Sequence, residues 1–422
     1  MNNTTYILHS YLAGQKMMWP NGIKFSDTSL PITHHQRTPD GSFYKDLFIN
    51  HYLLPITNVG DIRDIPQECR YLYPIYVESS NFWNDKVFLM EPLDIPESVI
   101  TDVLNDRARL IFSMVKEGQG FYMDNRLQII KRQIALLGLK SKHVYFMDGN
   151  YRNVEFCTTD NDAGIKALTY NYWEKSIGPM SAEKIEQISS SIKSLNLRNH
   201  KFICLNRVAR DHRILLVKRL EDHGIDKNTI LSLGPQIEMS PFGVNRSDVH
   251  QEIIQYFSNT SVLRDVDTPL NAPLWHSIGQ IVFDLQLDAY INICTETFFD
   301  KNKSRLFASE KIWKSIVSMQ PMILVAEHGA LQILKQKGFK TFNPWIDESY
   351  DNEVNDHVRF DLIMKEIIRL NKLTHNELAN MLLEMLPILL HNAKVYADLF
   401  STPKSEEAIL NEIHNTWNNY QV

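Results

Sequence analysis

The chain has 422 residues, a formal net charge of -6, 44% hydrophobic and 22% charged residues. At roughly 100–200 residues per domain this length allows two lobes, each with its own core, and the composition excludes a disordered chain. The mild acidity gives no global attraction to nucleic acid or to an anionic membrane.

Residues 1–20 lack the basic and apolar regions of a secretory signal. No run reaches the ~18 apolar residues of a membrane span. A cytoplasmic chain without an anchor is therefore expected. In the first part, 53–59 and 71–78 are short strands between turn residues. The run 109–115 is a cleaner buried strand, followed by Gly118 and Gly120. A helix over 124–137 places Leu127, Ile130, Ile134 and Leu137 on one face, and Gly138 ends it. A strand at 143–147 completes a βαβ unit, which predicts a parallel sheet. The polar stretch 181–200 marks a boundary between lobes.

A second alternating set follows. Strands are expected at 201–205, 229–233, 289–295 and 322–326, and helices at 211–223, 309–319 and 329–337. Thr374 and Glu377 form a capping box that opens a last helical region. The four cysteines, Cys69, Cys157, Cys204 and Cys294, show no CxxC pair and are expected as free thiols, buried for the most part. The fold class predicted is α/β, with two Rossmann-like lobes facing a cleft and a helical tail. The lobes are assigned to 1–185 and 186–370, with C-terminal helices over 371–422. A C-terminal helix is expected to cross back to the first lobe.

The residues richest in chemistry lie between 291 and 342. A strand delivers Glu296 to its carboxyl end, and a loop with Lys301, Lys303 and Arg305 follows. Ser309 then stands at a helix N-cap with Glu310 and Lys311 in the first turn. Exposed N–H groups of such a turn attract an anion, and Lys311 adds positive charge. Glu310 accepts hydroxyl hydrogens. A phosphate flanked by hydroxyl-rich groups describes a nucleotide sugar.

The strings Glu296-Thr297, Ser309-Glu310-Lys311-Ile312 and Pro321-Met322-Ile323 resemble the Glu-Asn-Ser, Thr-Glu-Lys-Leu and Pro-Val-Val motifs of fucosyltransferase-like glycosyltransferases of the GT-B type. Upstream, a strand ends at Asn206-Arg207, and Arg213 follows in a helix, as in that family. The resemblance covers about residues 200–345. It implies that Glu310 contacts the donor sugar and that Lys311 contacts the diphosphate. It implies a diphosphate contact for Arg213 also, with Asn206 alongside and help from Arg207 or Arg210. Thr297 replaces the family's Asn, and the loop between motifs is longer, so the sugar and linkage are left open.

The implied reaction moves a sugar from a nucleoside-diphosphate sugar to a glycan, lipid or other hydroxyl acceptor. Basic groups neutralise the leaving diphosphate without a metal or other cofactor. An inverting enzyme needs a carboxylate base, for which Glu78, Glu117 and Asp148 stand near strand ends. Glu117 is chosen because it closely follows the cleanest strand. Asp160-Asn161-Asp162 and Asp265-Val266-Asp267 have a metal-binding form, but two copies are about what chance supplies at this length. His34-His35 reads as a surface loop. Two alternatives stand beside this reading. One is a transferase whose acceptor is modified, phage-type DNA, in which nucleic acid enters only as acceptor. The other is a non-catalytic α/β binding protein.

Overall fold

The computed structural model describes residues 5–8, 56–59, 67, 70–76, 92–93, 95–114, 123–152, 165–175, 177–237, 256, 281, 283–299, 306–402, 408–409, 411–413 and 415–416, some by backbone alone. They form two compact units. One comprises Met1–Tyr172 with Ser401–Val422, and the other is Trp173–Phe400.

The first unit is built on six strands: β1 (Thr5–Leu8), β2 (Ile56–Val59), β3 (Tyr71–Tyr76), β4 (Ala108–Met114), β5 (Val144–Asp148) and β6 (Lys166–Thr169). They pair in the order β2-β1-β3-β4-β5-β6, every pair parallel. Helix α1 (Glu97–Leu104) precedes β4, and α2 (Met123–Leu136) joins β4 to β5. A strand buried on both faces reads as a continuous apolar run, and β5 is buried at every position. Its core includes Val103, Leu110, Phe112, Ile130 and Phe146. The βαβ unit expected over 109–147 is therefore present within a residue or so at each end. The C-terminal residues of this unit are tied to the sheet: Tyr145 donates its hydroxyl to the Ile413 carbonyl, and Lys166 pairs with Glu412.

The second unit opens with α3 (Ala182–Lys193), capped by the Ser181 hydroxyl. The polar stretch expected as a boundary is mostly this helix, whose inner face buries Ile188, Ser189 and Ile192. The boundary set at 185/186 thus falls inside α3, which belongs wholly to the second unit. Four parallel strands follow: β7 (His200–Ala209), β8 (Thr229–Ile237), β9 (Ala289–Thr295) and β10 (Met322–Val325). Their order is β10-β9-β7-β8. Helix α4 (Asp211–Asp222) links β7 to β8, a short α5 (Phe283–Leu287) precedes β9, and α6 (Glu310–Val317) links β9 to β10. Helices α7 (Ala330–Gln336), α8 (Asp356–Asn371) and α9 (His375–Ser401) complete the unit.

The chain leaves β7 in one direction for β8, then returns to add β9 on the other side of β7. The connections therefore diverge between β7 and β9, which makes that gap the topological switch point of the sheet. In open α/β sheets, ligands bind outside the carboxyl ends of the strands at such a point.

The edge strand β10 is protected. The backbone N–H of Leu324 donates to the hydroxyl of Tyr350, which is buried. Asp351 accepts the N–H of Leu331 at the start of α7, and Glu348 accepts the N–H of Phe342. In the aromatic and acidic string at 345–351, Glu348, Tyr350 and Asp351 thus serve as internal caps. The capping box at Thr374 and Glu377 is present in both directions. Among the described residues, no helix is long and apolar enough to cross a membrane.

Candidate functional site at the carboxyl ends of β7 and β9

Side chains alternate across a strand, so Asn206 shares one face of β7 with Cys204, beside Thr295 of β9. Asn206 is fully buried. Its carbonyl oxygen accepts the Thr295 hydroxyl at 2.6 Å, and its amide donates to the Cys204 sulfur at 3.2 Å. The two central strands are thereby cross-linked next to their carboxyl ends.

Arg213, in the first turn of α4, is 3% exposed. Its guanidinium donates to the Val208 carbonyl at 3.0 Å, the Thr295 carbonyl at 3.2 Å and the Glu296 carbonyl at 2.9 Å. Burial pulls its pKa down to about 10, with the neighbouring Arg210 adding to the effect. The group expected at a diphosphate is, in this structure, a clamp on strand ends. His212 and Arg210 extend the clamp, with His212 Nε2 3.0 Å from the Glu296 carbonyl and Arg210 donating to the Thr297 carbonyl at 2.6 Å. Arg210 also lies over the Phe298 ring, 5.7 Å from its centroid.

On the α6 side, Glu296 is 1% exposed. Its carboxylate accepts the Ser309 N–H at 3.1 and 3.2 Å and the Thr297 N–H at 3.2 Å. Burial pushes its pKa up, against the opposing pull of Lys311 and Ser309. Ser309 is the N-cap of α6, as expected, and its hydroxyl accepts the Lys311 N–H. The N–H groups of Ser309 and Lys311, expected to be exposed for an anion, are therefore already engaged by the protein. Glu310 and Lys311 lie at the rim, with side chains 14% and 22% exposed. The Lys311 ammonium donates to Glu310 at 2.8 Å and to the Ser309 hydroxyl at 3.1 Å. Burial alone would raise the Glu310 carboxyl, but the adjacent ammonium outweighs it and holds it below the usual range.

Arg207 has two buried guanidinium nitrogens, Nε and Nη1, without a hydrogen-bond partner among the described residues, where Arg213 has one, Nε. Arg207 sits where the β7–β8 register shifts, between Asn206 and Val208. Gly234 of β8 packs so closely there that a Cβ would overlap the Arg207 carbonyl. A bulge of this kind re-aims a side chain next to a strand end. A buried guanidinium without acceptors is costly, and an anionic ligand would offset that cost.

The loop after β9 is held by a residue that the sequence reading passed over. Arg359 of α8 is buried and donates to the carbonyls of Phe299, Ala326 and Glu353, while its guanidinium lies 4.4 Å from the Phe299 ring centroid. No local motif marks it, because its partners are backbone carbonyls 5 to 60 residues away. Of the sequence-predicted residues, Asn206, Arg207, Arg213, Glu296, Ser309, Glu310 and Lys311 all gather at the carboxyl ends of β7 and β9 or at the adjoining helix starts. Glu117, Glu78, Lys301, Lys303, Arg305, His34-His35 and both Asp-x-Asp strings lie outside the described residues. Among the described residues, no cluster of His, Cys, Asp or Glu is placed to hold a metal ion.

No protein-family model matches the sequence, and no curated protein matches it. Among solved structures, the chain is similar to a UDP-forming α,α-trehalose-phosphate synthase from Burkholderia xenovorans, with 12% identity, a TM-score of 0.35, and 81% of this chain covering 73% of that one. It is also similar to the N-terminal domain of trehalose-6-phosphate phosphatase from Candida albicans, with 14% identity, a TM-score of 0.33, and 78% of this chain covering 70% of that one. Likeness this distant says nothing of activity, and what the structure itself shows is an α/β chain of two parallel-sheet units with its candidate residues at a switch point.

Proposed function

We propose that the chain is a glycosyltransferase of the GT-B type that moves a sugar from a nucleoside-diphosphate sugar to a hydroxyl acceptor on a glycan, lipid or similar molecule. The observation that carries this reading is Arg207 at the switch point, whose buried Nε and Nη1 have no hydrogen-bond partner among the described residues. Arg207 and Lys311 supply the positive charge for the diphosphate, so the leaving group needs no metal. Glu310 accepts hydroxyls of the sugar or ribose. Asn206, Arg213, Glu296 and Ser309 hold these groups in place from behind. The first unit supplies the acceptor side and the base, for which Glu117 is the candidate. The cytoplasm is the proposed compartment.

The test is a thermal-shift screen against UDP, GDP, CMP, dTDP and their sugars, with and without Mg²⁺. A nucleotide at about 100 times its dissociation constant adds about 2.7 kcal/mol of stability. The expected result is a selective, metal-independent shift that is lost in Arg207→Ala and Lys311→Ala. No shift with any nucleotide removes the reading. A non-catalytic binding protein is the second reading, favoured by the hydrogen bonds that tie Asn206 and Arg213 to their own chain. Nucleotide-sugar binding without hydrolysis or transfer would select it.

A further inference from the structure

On an α-helix, neighbours at i and i+1 do not face each other, and a cation near the N-terminus meets the positive end of the helix dipole. Lys311 nevertheless folds back over the start of α6 to reach Glu310 and Ser309. The Glu310 carboxylate at 2.8 Å makes this arrangement favourable, together with the buried Glu296 carboxyl, whose pKa Lys311 pulls down. At the carboxyl end of β7, Arg207 Nε and Nη1 are buried without a hydrogen-bond partner among the described residues. Lys311, a donor on the diphosphate reading, is thus occupied by a carboxylate from the chain itself.

The geometry points to Glu310 as an internal stand-in for the ligand anion: an incoming diphosphate displaces it from Lys311, so Glu310 sets the affinity threshold that an anion must pass. This rests on reading the site as a diphosphate site. The exchange breaks one ion pair and forms another, with no covalent step. Its consequence is selectivity for strongly charged ligands, because a weak anion does not compete with a tethered carboxylate.

The experiment is calorimetric titration of the full chain with inorganic pyrophosphate. Four proteins are compared: the parent, Glu310→Gln, Lys311→Ala and the double variant. Glu310→Ala serves as a second removal of the carboxylate, and thermal melts check folding. Loss of the carboxylate should tighten pyrophosphate binding by about three- to tenfold, the scale of one partly exposed ion pair. The gain should fall to about twofold or less when Lys311 is absent, because the two residues act as one unit. Unchanged or weaker binding in both Glu310 variants overturns the proposal. An equal gain with and without Lys311 also overturns it, since that is plain charge repulsion. Binding by none of the four proteins overturns it too. Failure of the transferase reading is separable. Tightening without any sugar transfer keeps the exchange and removes the enzyme, whereas transfer without tightening does the reverse.

Discussion

The Glu296 carboxylate accepts the backbone N–H of Ser309 at 3.1 Å, so the last turn out of β9 and the first turn into α6 are joined by a buried charge. A carboxylate at a helix N-terminus is favoured by the dipole and fills a donor that would otherwise lack a partner. Replacing Glu296 by Ala leaves the N–H groups of Ser309 and Thr297 without it. The expected loss is about 1–3 kcal/mol of stability, read by urea unfolding, and Glu296→Gln should recover part of it.

Arg213 and Lys311 separate structure from binding. Arg213 is spent on three carbonyls inside the fold, whereas Lys311 stands at the rim. Arg213→Ala should lower the unfolding midpoint without any ligand, by about 3 kcal/mol or more. Lys311→Ala should stay within about 0.5 kcal/mol of the parent and lose nucleotide binding instead. Equal melting of the two variants would contradict the division.

Gly234 has no room for a side chain against the Arg207 carbonyl. Gly234→Ala must therefore push β8 away from β7. Overpacking of this kind costs about 1–3 kcal/mol and should also disturb the Arg207 position. Thermal unfolding together with pyrophosphate titration reads both effects.

His143 in the first unit is buried, and its Nδ1 accepts the Lys140 N–H. Burial, followed by the charges of Arg109 and Lys142, pulls its pKa down to about 4 from 6.5. The folded state thus prefers neutral histidine. Its contribution is fully present above pH 6.5 and is lost as the pH falls from 6.5 towards 4. His143→Gln should flatten the stability profile in that window, measured by urea unfolding at a series of pH values. A profile unchanged by the substitution would rule the group out.

Cys204 and Cys294 are buried free thiols. Burial pushes Cys204 up to about 12 and Cys294 well above its ordinary value. Thiolate is the reactive form, so neither should react with a disulfide reagent in the folded protein. Both should react at once in denaturant, which a colorimetric thiol count at two urea concentrations checks. Cys69 and Cys157 lie outside the described residues, so the count is made on a variant with both replaced by Ser.

Much of the second unit was legible from local pattern. The strand expected at 289–295 is β9 to the residue, the helix at 211–223 is α4 within one residue, and Ser309 caps α6. Apolar runs and caps are local signals, because each element's periodicity and end chemistry are written in neighbouring residues. The polar stretch at 181–200 holds α3, which was not recognised as a helix because most of its face is exposed and polar, and α8 was passed over altogether. The candidate residues of the second unit gather at one end of its sheet, since strand ends and helix starts can be placed from sequence. Their division of labour was not legible. Asn206 and Arg213 look like ligand contacts in one dimension and become internal ties in three, because Thr295 and Glu296 lie more than 80 residues away. The register shift that re-aims Arg207, and the clamp made by Arg359, depend on partners brought close only by the sheet. The sequence by itself determined which elements form and which side chains sit at their ends. Tertiary structure alone decided which of those side chains the protein uses to hold itself together, since that choice depends on burial and on distant carbonyls.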